Sequence, residues 1–205
     1  MTAAAAGWSA DRRPEGDRAW FDRSAQEVAP DLLGCILVSD SPEGRVAGRI
    51  VEVEAYLGPE DLAAHSSHGQ TARNAVMFGP PGHLYVYLIY GLHHCLNVVC
   101  GPGRKPEAVL VRALALTDGL GLARARRGDV PDRRLASGPG NVARAMGVDR
   151  SLNGADLLDG PIRLLSGAPP QRVITRPRIG VDYAGAWAAH PLRFLAAGDP
   201  HVPRP

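Results

Sequence analysis

Two carboxylates on one short segment are the first feature able to do chemistry. In Arg49-Ile-Val-Glu-Val-Glu-Ala-Tyr56, a strand would set Val51, Val53 and Ala55 on one face and Ile50, Glu52, Glu54 and Tyr56 on the other. Glu52 and Glu54 would then stand about 7 Å apart at ~3.3 Å per residue, a range at which two carboxyls can divide acid and base roles. An ordinary solvated strand face has the same pattern. Glu54 has the more telling position, at the strand's end beside Tyr56 and a long loop, where sites are built.

A second group is aromatic. Leu84-Tyr-Val-Tyr-Leu-Ile-Tyr-Gly91 holds three of the chain's five tyrosines. As a strand it puts Tyr85, Tyr87 and Ile89 on one face and leaves Tyr90 on a turn. An aromatic core strand accounts for Tyr85, but a tyrosine at a turn tip is hard to bury. Such a ring suits wedging into a base stack or stacking on an exposed base. Ser137-Gly-Pro-Gly-Asn141 is a third group: a proline at a helix start between glycines leaves backbone N–H groups for an anion. Arg124, Arg126, Arg127, Arg133, Arg134 and Arg144 surround it in sequence, as a basic contact surface or a solvated face.

Other chemistries lack their residues. His65-Ser-Ser-His68 and His93-His94-Cys95 resemble metal ligands, yet adjacent strand residues point apart and no Cys-x-x-Cys completes a zinc site, so no metal is expected. There is no Gly-x-Ser-x-Gly elbow, P-loop or dinucleotide fingerprint, and no cofactor is expected. Three cysteines, Cys35, Cys95 and Cys100, do not make a disulfide framework.

The elements that must position these groups read as one α+β domain. The chain has 205 residues, 45% hydrophobic and 21% charged, as a single soluble domain requires. Its longest apolar stretch, residues 84–92, falls short of the roughly twenty residues that span a membrane. No secretory signal is visible, and a cytoplasmic protein is expected. Residues 1–19 lack periodicity and read as a flexible tail before a domain over 20–205. Ser24-Ala-Gln-Glu27 has capping-box spacing, so a helix starts there, with Pro30 interrupting it and Gly34 ending it. Strands are expected at 35–38, 45–56, 84–89, 95–100 and 108–114, and also at 162–165 and 179–181. Helices are expected at 117–127 and from Ser137 to near Gly147, and residues 57–83 form a long loop. Charge divides unevenly: seven arginines face twelve acids in residues 1–100, whereas fifteen arginines and Lys105 face nine acids in residues 101–205. A basic half points to a polyanionic partner.

Taken together, these residues resemble the alkyladenine (3-methyladenine) DNA glycosylases. The resemblance is carried by Gly48 to Asp61, His65, Arg73-Asn74, Met77-Phe78, Pro81-Gly82, Leu84 to Gly91, Asn97, Val111-Arg-Ala-Leu114 and Ser137-Gly-Pro139. It continues through Arg178-Ile-Gly-Val181 and Trp187 to Phe194, covering roughly residues 25–202 in one order. It implies a single mixed α/β domain around a curved antiparallel sheet, similar to the C-terminal domain of methionyl-tRNA formyltransferase. It implies monomeric action on duplex DNA carrying damaged purines, with a flipped base and an N-glycosidic bond hydrolysed by water. Glu54 matches the general base and Arg112 an arginine beside the water. Tyr56, His65, Tyr87 and Asn97 match the base pocket, and Tyr90 the intercalating residue. Arg73, Ser137, Gly138 and Gly140 match contacts to the DNA backbone. Asn141 and His93-His94 depart from the family pattern, and Glu52 is expected to be structural. A glycosylase that also cuts the strand uses an amine nucleophile. The single lysine, Lys105, lies far from Glu54 in sequence, which favours a monofunctional enzyme.

Overall fold

The computed structural model describes residues 16–202. Ser24 and Glu27 form the expected capping box, and α1 runs Ala25–Leu32. It continues through Pro30 rather than breaking there. The carbonyl deprived of its partner belongs to Gln26, an exposed residue that water can satisfy. The buried stripe Ala25, Val28, Ala29 and Leu32 docks the helix on the sheet. Of the stretch read as a tail, residues 1–15 lie outside the described residues, while Arg18 bonds the Pro81 carbonyl and the Asp156 carboxylate.

Eight strands form one antiparallel sheet: β1 (Ile36–Ser41), β2 (Gly44–Tyr56), β3 (Leu84–Ile89), β4 (His93–Cys100), β5 (Glu107–Asp118), β6 (Ile162–Leu165), β7 (Val173–Arg176) and β8 (Arg193–Ala196). The order is β3-β4-β5-β2-β1-β6, and β8 pairs with both β2 and β7. The main core lies on the face covered by α1, α2 (Leu120–Arg127) and α3 (Pro139–Met146). Leu84, Val86, Leu96, Val98 and Val109 point into it, while Tyr85, Val99 and Ala108 join a smaller cluster apart from it. That alternation divides a stabilising face from a face free to build a site.

Several elements differ from the sequence reading: β4 begins at His93 instead of Cys95, and β7 and β8 answer to no expected strand. Thr117 and Asp118 extend β5, and α2 starts only after Gly119, whose left-handed φ of 69° turns the chain. Residues 179–181 are not a strand: Gly180 has φ 75°, and the Ile179 N–H goes to a side chain instead of a ladder.

The larger difference lies in the phase of β2. Strict alternation would place Ile50 with Glu52 and Glu54. Instead, Ile50 packs in the main core with Val53 and Ala55, and Val51 belongs to a separate cluster. A bulge causes this: Ile50 pairs with Leu114, Glu52 with Ala113 and Val53 with Val111. Val51 is thus the extra residue on β2, and Arg112 the extra residue on β5. Two opposed bulges shift both strands together and re-aim the side chains between them.

Gly34 joins α1 to β1 at φ 93°, and a β-carbon there would lie 2.1 Å from the Ala168 carbonyl oxygen. Gly34→Ala is expected to cost about 2 kcal/mol or more from left-handed strain and this clash. Differential scanning calorimetry should then show Tm lowered by roughly 4–8 °C for a chain of this size.

Candidate active site

The opposed bulges bring four charges together. Arg112 donates from Nε to Glu52 Oε1 at 3.3 Å and from Nη1 to Glu54 Oε2 at 3.1 Å. Arg193, carried in by β8, donates to Glu52 Oε1 at 3.0 Å. Both glutamates are buried, so the solvated-face reading of this strand does not hold. Two acids and two guanidiniums form a balanced cluster, the condition under which charges tolerate burial.

Glu54 is the better connected acid. Its Oε1 accepts the Ile179 N–H at 2.8 Å, and its Oε2 accepts the Tyr56 hydroxyl at 3.1 Å besides Arg112. Burial pushes its carboxyl above the ordinary glutamate value, with the Arg112 charge, the Ile179 N–H and the Tyr56 hydroxyl opposing. Burial alone would lower the Arg112 value, but the two carboxylates outweigh it and raise it. Arg112 is therefore a fixed cation, and Glu54 the group whose protonation can change.

Tyr56, Arg112 and Ile179, the three donors to Glu54, all line a cavity of about 180 Å³. His65, Tyr85, Tyr87, Tyr90, Asn97 and Pro139 line it too. The sequence candidates Tyr56, His65, Tyr87, Tyr90, Asn97 and Arg112 therefore meet in one place, and Glu54 lies directly behind it. His65 packs edge-on to Tyr87 with ring centroids 4.5 Å apart, and its Nδ1 lies 2.9 Å from the Tyr85 hydroxyl. Burial, then the nearby Arg73 charge, pull His65 below its ordinary value, so the ring is neutral near pH 7. Burial lifts Tyr56 well above 10 and Tyr85 to about 12. The Asn97 amide nitrogen donates to the Tyr85 carbonyl at 3.0 Å, which leaves its oxygen as the free end.

Tyr90 stands at the tip of the β3–β4 hairpin, 86% exposed. It and Gly91 both have positive φ, 52° and 66°, as the primed turns that match strand twist demand. A tyrosine there carries strain of about 1–2 kcal/mol, the kind that persists at functional sites. Arg73 is exposed, donates to the Leu88 carbonyl at 2.9 Å and places its guanidinium 5.3 Å from the Tyr87 ring centroid.

The α3 start is more occupied than the sequence implied. The Gly138 N–H donates to the Arg112 carbonyl at 2.9 Å, so it is not free for an anion. Ser137 forms a bridge with Ala113, and its carbonyl accepts the Asn141 amide at 2.6 Å. Gly140 packs closely on His93. This segment fastens the helix beside Arg112. Ser137 also lines a groove with Arg133, Arg134 and His201. Among the described residues no cluster of three or more His, Cys, Asp or Glu side chains could hold a metal ion.

Sequence reasoning assigned no role to Asp61, Arg178, Ile179, Arg193 or Tyr183. Asp61 and Arg178 form a bidentate, fully buried pair, with Nη2 to Oδ1 at 2.8 Å. Asp61 also accepts the N–H groups of Leu57 and Ala63, and the Arg178 guanidinium stacks 4.7 Å from the Tyr56 ring centroid. The pair ties the long loop to the 178–184 segment, across 117 positions of sequence. Both residues fall in quoted family matches, Gly48 to Asp61 and Arg178 to Val181, and no other signal marks the pair.

The model of the methylpurine-DNA glycosylase family matches residues 19–200. A Streptomyces avermitilis protein is 49% identical over 198 residues, spanning 94% of this chain and 92% of its own length. One from Methanoculleus marisnigri is 50% identical over 191 residues, 91% and 97% of the two chains. Both bear the name "Putative 3-methyladenine DNA glycosylase". The chain belongs to the methylpurine-DNA glycosylase family and is a DNA glycosylase, an enzyme that cleaves N-glycosidic bonds.

Removing one member of a buried charge pair strands the other, at a cost of about 3–5 kcal/mol. Arg178→Met is expected to lower the urea midpoint accordingly. The double variant Asp61→Leu/Arg178→Met should recover part of the loss, but not all, because Asp61 also holds two backbone N–H groups.

Proposed function

We propose that this enzyme excises alkylated purines, 3-methyladenine among them, from duplex DNA, with Glu54 as general base. The observation that carries this reading is a buried carboxylate, held by three donors, against the wall of an aromatic cavity. An ionised carboxylate has about four lone-pair sites. Three are taken, and one remains to accept a proton from water arriving between Arg112 and Ile179.

The target nucleotide must leave the stack before the reaction can occur. The Tyr90 ring fills the gap, and the extruded base enters between Tyr56, His65 and Tyr87. The Asn97 oxygen excludes bases with bulk at its position. Water attacks C1′ as its proton passes to Glu54, while the electrons of the N-glycosidic bond go to the departing base. A base alkylated at N3 or N7 carries a positive charge and leaves neutral, with no acid required. Carboxylate charge near C1′ also stabilises the developing oxocarbenium ion. Exposed Arg73, and Ser137 in the groove with Arg133 and Arg134, support the DNA backbone. The enzyme is monofunctional: Lys105, the one lysine, is engaged by Glu60 and Glu107 and does not line the cavity.

The test is duplex DNA treated with a methylating agent, with released base scored by chromatography and strand breaks scored before and after hot alkali. Wild-type protein should release base, with breaks appearing only after alkali. Glu54→Gln should lose about 10²–10⁴ in single-turnover rate, the range for general-base catalysis. Tight binding by both proteins without base release would overturn the mechanism. The variant should fold. A carboxyl with a raised folded value contributes stability fully present below its ordinary value of 4.5 and lost as pH rises through that folded value. At pH 7 the amide removes a charge that burial disfavours, and Arg112 keeps Glu52 as its ion-pair partner.

The pH profile gives an independent check. Single-turnover release of a cationic base should rise along an acid limb as Glu54 deprotonates, with a midpoint above the ordinary value of 4.5. Arg112→Met removes the charge that favours the carboxylate and should move this limb further up in pH. A limb at or below 4.5 in the wild type would exclude Glu54 as the titrating base.

A further inference from the structure

We infer that Tyr183 is a second aromatic clamp on DNA, packing its ring against the deoxyribose of the extruded nucleotide. This rests on the proposed attack at C1′ beside Glu54. Six large hydrophobic side chains are exposed among the described residues: Leu62, Tyr90, Leu92, Leu165, Ile179 and Tyr183. Tyr90, Ile179 and Tyr183 line the one cavity, and Leu92 shares the hairpin tip with Tyr90. Such a concentration of apolar surface marks a contact site.

Tyr183 is 73% exposed, yet the segment that displays it is held firmly. Val181 and Ala184, on either side, are buried against Ala63, and the Ala184 N–H donates to the Val181 carbonyl at 2.9 Å. Gly180 and Gly185, with φ of 75° and 58°, turn the chain before and after the tyrosine. Arg178 anchors the segment to Asp61, and the Ile179 N–H pins it to Glu54. The ring is thus presented from a rigid support at the cavity mouth.

Its support identifies what it meets. A nucleotide attacked at C1′ must seat its sugar over Glu54, with its base deeper among Tyr56, His65 and Tyr87. The segment pinned to Glu54 therefore borders the sugar, and its exposed ring faces the sugar at the mouth. Tyr90 comes from the separate β3–β4 hairpin and acts on the stack that the base leaves. The two aromatics have different targets, so their removal has different consequences.

The experiment measures affinity for a duplex carrying a tetrahydrofuran abasic-site analogue and for the undamaged duplex, by fluorescence anisotropy. The analogue keeps an extrudable sugar and needs no choice of damaged base. Tyr183→Ala should weaken binding of the analogue duplex roughly tenfold, the scale of burying one aromatic face. Undamaged duplex should change less than twofold, and Tyr183→Phe should match wild type because the ring carries the contact. Melting temperature should not move. If the alanine variant does lower it, Tyr183→Gln keeps the reach without the ring and should show the same tenfold loss. Unchanged affinity for the analogue, an equal loss on undamaged DNA, or a phenylalanine variant as weak as alanine would each overturn the clamp. Failure of wild-type protein to release base from methylated DNA would overturn the catalytic reading separately, since these affinities require no chemistry.

Discussion

A carboxylate without solvent exposure needs a nearby cation and enough donors, and Glu54 imposes that requirement on the whole fold. Meeting it took two strands, each with one extra residue at the same level. The bulge on β5 delivers Arg112, and the bulge on β2 lets Glu52 and Glu54 both reach it. Arg193 from β8 completes the balance, so β8 adds a charge as well as a strand. The charged groups hold one another in a chain across β2, β5 and β8, in which losing Arg112 would strand Glu54 and losing Glu52 would strand Arg193. Both hydrogen bonds of Glu52 run through Oε1 to the two arginines.

The sheet divides the work between its faces. Aliphatic side chains on the helix face form the main core, and the other face carries small clusters separated by polar links. That second face would be the weaker one without the Asp61–Arg178 pair, which joins two loops distant in sequence and backs Tyr56. Tyr56 consequently has both of its ends fixed: its hydroxyl by Glu54 and its ring face by Arg178. A wall so placed can shape a cavity without moving when something enters. The strained Tyr90 turn is the complement, a ring held in solvent by its backbone conformation rather than by packing.

How far the sequence could be read follows from the range of each interaction. The capping box, the β3–β4 alternation and the Tyr90-Gly91 turn depend on near neighbours, and all appear where the residues imply. Strand alternation placed Tyr85 and Tyr87 on one face, whereas Tyr56, His65, Asn97 and Arg112 were legible as site residues only through the family resemblance. The bulge at Val51 was not: Ile50-Val-Glu-Val-Glu is a regular alternating string, and only pairing with β5 shows where the phase breaks. Residues 179–181 failed for a related reason. Their apolar character reads as strand, but a buried carboxylate captures the Ile179 N–H and Gly180 turns the chain. Asp61 and Arg178 carry no local signal at all, since a salt bridge across 117 positions leaves no periodicity.

Charge selectivity in the cavity has to be argued against these same contacts. Electron-rich rings attract cations, which would by itself make Tyr56 and Tyr87 selective for a cationic base. Yet each already has a guanidinium against it, Arg178 at 4.7 Å from the first and Arg73 at 5.3 Å from the second. Neither arginine lines the cavity, so each ring is engaged from outside the space that a base would fill. Two cations sharing a ring repel one another through it, which weakens the preference that the bare rings would confer. Neutral His65 and the raised tyrosines add no ready proton donor. On the proposed mechanism, then, preference for alkylated purines arises less in how tightly the pocket holds a charged base than in the reaction itself. A base that is already cationic departs without an acid, and a carboxylate placed at C1′ accelerates only those bases able to depart.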